Sequence, residues 1–105
     1  MADWRRLASK SAIQEGSPIS VEVDGIPIGL FRVSEEVFAL HDVCTHEFAL
    51  LSTGFQDGDQ IECPLHQAIF NIRTGENLTP PAQCSVKCFP VRIDGDDVLV
   101  DLSGR

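Results

Sequence analysis

The stretch from His41 to His66 reads HDVCTHEFALLSTGFQDGDQIECPLH. It holds Cys44 and His46 as C-x-H, then sixteen residues, then Cys63 and His66 as C-x-x-H. Two residues apart in an extended segment, Cys44 and His46 point to the same side. Three apart around Pro64, Cys63 and His66 can converge as well. Each loop then offers one soft thiolate and one imidazole. Two such loops face to face supply two sulfur and two nitrogen ligands. That set suits tetrahedral zinc. It also suits a [2Fe–2S] centre in which two histidines replace two cysteines on one iron. Zinc modules usually pair ligands within a loop as C-x-x-C or H-x-x-x-H, so the mixed pair in both loops favours the cluster.

Around these loops the chain changes character. From about 43 to 81 it is rich in Gly, Pro, Thr, Cys and His, with apolar pieces only at Ile61 and Ala68 to Ile72. Such a stretch needs something to order it, and a metal site is the economical candidate. Upstream, short strands alternate with turn signals. They are expected at Trp4 to Leu7, Ile19 to Val23, Ile28 to Val33 and Val37 to Leu40, with a hairpin turn at Asp24-Gly25. Downstream, one strand is expected from Val86 to Ile93, a turn at Asp94-Gly95, and a last strand from Val98 to Leu102. The plan is all-β. Both ends of a single 1–105 domain form an antiparallel β-sandwich scaffold, and an inserted loop-rich subdomain at about 43–81 binds the metal group.

Composition narrows the partners. Sixteen Asp and Glu against eight Lys and Arg give a net charge of −8. That argues against nucleic acid and an anionic membrane surface. It suits docking onto basic patches of other proteins. No apolar run approaches the roughly 18 residues of a membrane helix. The first ten residues hold no apolar core of a secretory signal. The expectation is a cytoplasmic protein, where four cysteines read as metal ligands or buried thiols before disulfides.

The boxes HDVCTHEFALLSTG (His41 to Gly54), IECPLH (Ile61 to His66) and FNIRTG (Phe70 to Gly75) resemble the cluster-binding boxes of the Rieske [2Fe–2S] family. Pro80-Pro81 resembles that family's proline loop, and Phe89-Pro90-Val91 its aromatic-Pro-Val strand. The likeness is greatest to the small ferredoxins of multicomponent aromatic-ring dioxygenases. The resemblance implies a Rieske fold with one [2Fe–2S] cluster. Cys44 and Cys63 would hold one iron, and His46 and His66 the other. It implies a one-electron carrier rather than an enzyme, passing electrons from a NAD(P)H-dependent flavoprotein reductase to a terminal oxygenase as a monomer. The alternatives are a Rieske-like small subunit of a larger reductase, such as assimilatory nitrite reductase, and a structural zinc-binding interaction module.

Departures from the family pattern carry expectations. Respiratory relatives bridge two extra cysteines where this chain has Ala49 and Leu65. They place serine and tyrosine hydroxyls near the cluster where this chain has Ala68 and Phe70, and the chain has no tyrosine. Fewer hydrogen-bond donors mean a lower potential, near −150 mV, about the low end of the Rieske range. Asp42 and Glu47, as acidic neighbours, would push the same way. Ionisation of the outer N–H groups of His46 and His66 would couple the potential to alkaline pH. Glu47, Gln67 and Ala68 stand where many relatives have glycine.

Other residues take blander roles. Cys84 and Cys88, four apart on an extended strand, would be roughly 13 Å apart. A disulfide needs Cα atoms within about 7 Å, so both read as plain thiols. His41 reads as a strand-end surface residue, and Trp4 as packing near a sheet edge. Glu35-Glu36 and Asp94 to Asp97 read as solvated turns. Gly54 and Gly75 are both expected to need a positive φ.

Overall fold

Among the described residues ten strands form in chain order: β1 (Trp4–Ser9), β2 (Ile19–Val23), β3 (Ile26–Val33), β4 (Glu36–His41), β5 (Phe55–Asp57), β6 (Gln60–Glu62), β7 (Ile69–Asn71), β8 (Cys88–Phe89), β9 (Val91–Asp94) and β10 (Asp97–Asp101). They are seen in a computed structural model that describes residues 2–43, 50–63, 68–79 and 85–104. The strands make three sheets, ordered β1-β10-β9, β2-β3-β4-β8 and β5-β6-β7. Every pairing is antiparallel.

The β2–β3 hairpin follows from its turn. Asp24 and Gly25 have φ of 52° and 81°, the left-handed pair whose twist matches that of the flanking strands. Strand β3, IPIGLFRV, has no polar side because both of its faces are covered. Ile28 and Leu30 join one core with Val37, Ala39, Phe89, Val98 and Val100. Phe31 and Val33 join the other with Leu40, Leu51, Ile61, Cys63, Phe70 and Ile72. The β2-β3-β4-β8 sheet therefore packs on β9 and β10 through one face and supports the 50–79 region through the other. The first packing is the expected antiparallel sandwich.

The segment from Val86 to Ile93 differs from the single strand expected there. It breaks at Pro90 into β8, which pairs with β4, and β9, which pairs with β10. Proline has no N–H to give a ladder. Its carbonyl still accepts a hydrogen bond from Asp101 N at 3.0 Å. One chain segment thus stitches two sheets together. The second turn also shifts by a residue: β9 runs through Asp94, and Gly95 (φ 63°) opens the turn. Trp4 is half-buried, with the Arg92 guanidinium 4.7 Å from its ring centroid.

Two polar ties hold the small β5-β6-β7 sheet against the scaffold. Gln56 Nε2 donates to Arg32 O at 2.7 Å. Arg73 pairs with Glu36 at 3.2 Å on β4 and lies 5.1 Å from the Phe38 ring centroid. The ion pair is largely exposed and stabilises by about 1 kcal/mol at most.

At the other end, Asp101 accepts backbone hydrogen bonds from Asp3 N (2.8 Å) and Ser103 N (3.0 Å). These bonds, that from Asp3 first, hold its carboxyl below the usual carboxylate value. A depressed native pKa contributes stability that is present above the unfolded value, and it is lost as pH falls through the native value. Urea midpoints are therefore expected to fall below about pH 4. The fall should be smaller in Asp101→Asn, which keeps an acceptor oxygen. An identical fall in both proteins would remove Asp101 from the acid response.

Candidate functional site

Strand β4 delivers the chain to the first candidate ligand loop through Asp42. This residue is fully buried. Its N–H donates to Pro27 O at 2.9 Å, and its carbonyl accepts from Leu51 N at 2.7 Å. One carboxylate oxygen accepts from Ser52 N at 2.7 Å and the other from the Ser52 hydroxyl at 2.6 Å. Val43 and Leu50 form a bridge across the loop foot. The loop carrying Cys44 and His46 is thus pinned shut at its base. Burial pushes the Asp42 carboxyl pKa up, against hydrogen bonds from Ser52 and Ser20 that pull it down.

A single 3₁₀ turn, Leu51–Thr53, follows and ends at Gly54. Gly54 has φ −84° and ψ −156°, so the positive φ expected there is absent. Its reason to be glycine is steric. A Cβ at Gly54 would run into the carbonyl oxygen of Glu62, on the neighbouring strand. Gly75 does have the expected conformation, φ +82°, and its Cβ would run into the Val86 carbonyl.

The second candidate ligand loop is the β6–β7 connection. Cys63 follows Glu62 at the end of β6 and is fully buried. Its N–H donates to Ala68 O at 2.7 Å, which closes the loop just before β7 begins. The Cys63 side chain belongs to the same core cluster as Leu51, Ile61 and Phe70. The feet of the two loops therefore meet in one core. Cys44, His46 and His66 lie outside the described residues, as do Glu47, Ala49, Leu65, Gln67, Pro80, Pro81 and Cys84.

The donor chemistry fits a soft metal group. A thiolate in an apolar core is costly unless a metal takes its charge. Cys63 sits in such a core, at the mouth of a loop whose other candidate ligand is an imidazole. Ala68 packs partly buried against that core, and Phe70 is fully buried within it. Neither side chain carries a hydroxyl, so these two positions offer no side-chain hydrogen bond to a cluster.

The remaining candidates hold their modest roles. Cys88 is partly buried, burial pushes its thiol pKa up, and its Sγ–H donates to Arg73 O at 3.5 Å. His41 is half-buried at the end of β4, with its N–H on Lys87 O at 2.8 Å. With Ile26, Lys87 and Phe89 it lines a hollow of about 210 Å³. The Asp42–Ser52 pair was not foreseen. No local pattern separates an aspartate buried at a strand end from one in a solvated turn.

Comparison with known proteins agrees with this geometry. The family model described as Rieske [2Fe-2S] domain matches residues 3–90. The chain is 40% identical over 100 residues to the ferredoxin component of the naphthalene 1,2-dioxygenase system of Pseudomonas aeruginosa, covering 95% of this chain and 96% of that one. A solved Sphingomonas yanoikuyae B1 ferredoxin superposes with a TM-score of 0.89 at 35% identity, covering 94% of this chain and 98% of the other. A chain from a solved complex of reduced oxygenase and oxidised ferredoxin in carbazole 1,9a-dioxygenase superposes with a TM-score of 0.87 at 35% identity, covering 93% and 92%.

Proposed function

Because the chain belongs to the Rieske [2Fe–2S] domain family, we propose that it is the ferredoxin of an aromatic-ring dioxygenase system. It is a one-electron carrier with a Rieske-type [2Fe–2S] cluster, not a catalytic component. Cys44 and Cys63 hold one iron, and His46 and His66 hold the other. The observation that carries this reading is the meeting of the two loop feet, with Cys63 and Leu51 in one core. It supports a shared site for the C-x-H and C-x-x-H pairs. The family match sets aside the zinc module.

The bound group supplies reversible storage of one electron. The protein's own residues do the rest. Leu51, Ile61 and Phe70 keep water from the Cys63 side of the site. The closed stems at Asp42 and at Cys63–Ala68 hold the loops at fixed reach. Ala68 and Phe70 withhold hydroxyl hydrogen bonds, which keeps the potential low. A redox titration is expected to give about −150 mV, and a value above zero would contradict this account of the site.

The partners are a terminal oxygenase and a NAD(P)H-dependent flavoprotein reductase. Support for the first comes from the carbazole dioxygenase ferredoxin–oxygenase complex. The net charge of −8 suits docking on basic faces of both. The carrier is read as a cytoplasmic monomer. Separately, no helix among the described residues is long and apolar enough to cross a membrane. The test is reconstitution. Aromatic oxidation driven by NAD(P)H through such a reductase and oxygenase should require this protein and should slow as salt rises. Holoprotein that supports no turnover with any such pair would refute the assignment.

A further inference from the structure

A fully buried aspartate beside a ligand loop needs a reason, since burying a carboxyl group is costly unless its oxygens are engaged. Asp42 has a built pocket. Gly29 on β3 leaves room for it, because a Cβ at Gly29 would lie 2.7 Å from Asp42 Oδ1. Ser52 binds both carboxylate oxygens, through its N–H and its hydroxyl, at 2.7 and 2.6 Å. Both bonds are short, and together they engage both oxygens of the carboxyl group.

The partner of Asp42 leads to the second loop. Ser52 lies in the turn Leu51–Thr53, which is closed by Thr53 N to Leu50 O (3.1 Å) and Gly54 N to Leu51 O (2.9 Å). Gly54 lies flush against the Glu62 carbonyl, and Glu62 immediately precedes Cys63. A continuous series of close contacts thus runs from Asp42, two residues before Cys44, to the residue before Cys63.

We propose that Asp42 and Ser52 are positioning residues whose paired hydrogen bonds lock the 51–54 turn as a spacer of fixed length between the two ligand loops. The inference rests on the reading that these loops share one cluster. Asp42 acts through Ser52 and the turn, and touches no metal. What matters is that the pair keeps its two hydrogen bonds, so an amide serves nearly as well as a carboxylate. An asparagine oxygen accepts from Ser52 N–H, and its NH₂ donates to Ser52 Oγ.

The test compares Asp42→Asn, Ser52→Ala and Asp42→Ala as holoproteins. Two quantities are read: the EPR line shape of the dithionite-reduced protein and the rate of iron release to an iron(II) chelator. Asp42→Asn should keep the wild-type line shape and release iron within about twofold of the wild-type rate. Ser52→Ala loses one of the two bonds and should release iron about tenfold faster, with broadened EPR features. Asp42→Ala should be worse than either, or fail to fold, in which case the other two variants decide. A Ser52→Ala protein matching wild type in both readings overturns the proposal, as does an Asp42→Asn protein as impaired as Ser52→Ala. Wild-type protein lacking a Rieske signal overturns the functional reading itself, and the spacer with it.

Discussion

Cys63→Ala is expected to yield a colourless protein that retains no iron, while Cys88→Ala keeps colour and iron. Both residues are partly or wholly inside the same core, so the contrast does not come from burial alone. Cys63 is fully buried at the foot of the second candidate ligand loop, with its N–H tied to Ala68. Cys88 pairs with Leu40 on the scaffold sheet and donates to a backbone carbonyl. Removing one sulfur atom from a core leaves a small cavity, worth about 1 kcal/mol. Cys88→Ala should show that much and no more. Cys63→Ala should lose considerably more stability, because a group that binds only the folded state stabilises it. Iron assay and urea titration of the two variants check both statements. Full iron content in Cys63→Ala would remove this residue from the ligand set.

The second large effect is expected at Gly75. Its N–H donates to Asn71 O at 2.7 Å, and its carbonyl accepts from Val86 N at 2.9 Å. It clamps the exit of β7 onto the segment that leads into β8. With φ +82° and the Val86 carbonyl where a Cβ would go, Gly75→Ala is penalised twice. The left-handed backbone costs about 1–2 kcal/mol, and the overlap with fixed backbone about 1–3 kcal/mol. Together these approach the lower end of the roughly 5–15 kcal/mol that holds a domain folded. Gly58→Ala is the control, since Gly58 has φ +62° and nothing within 4 Å of its Cβ position. It should cost only the backbone share. Equal urea midpoints for the two variants would show that the Val86 contact yields easily.

Strand identity was legible wherever short-range chemistry decided it. Ile19–Val23 formed as read, and Asp24-Gly25 took the turn its residue types demand. Strand β3 was legible as a continuous apolar run, but which core each residue joins depends on sheets contributed from both ends of the chain. Pro90 was visible, yet its consequence was not. A proline marks where a ladder is interrupted, and only the tertiary arrangement shows two sheets diverging there. Gly54 was correctly singled out for the wrong reason. The sequence shows that a side chain is missing, not whether φ or a neighbour's carbonyl requires it. The candidate ligands were legible because Cys and His at short spacing carry chemistry with few alternatives. Asp42 was not, since its role depends on Gly29 opening a pocket and on Ser52 folding back ten residues later.

On the proposed reading, the two loops bind one Rieske-type cluster that cycles by a single electron. Visible absorption and EPR of the purified protein, before and after dithionite, test it directly. The account predicts a red-brown protein that bleaches on reduction and gains a Rieske-type EPR signal, with two irons per chain. A colourless, EPR-silent protein holding stoichiometric zinc and no iron would contradict it.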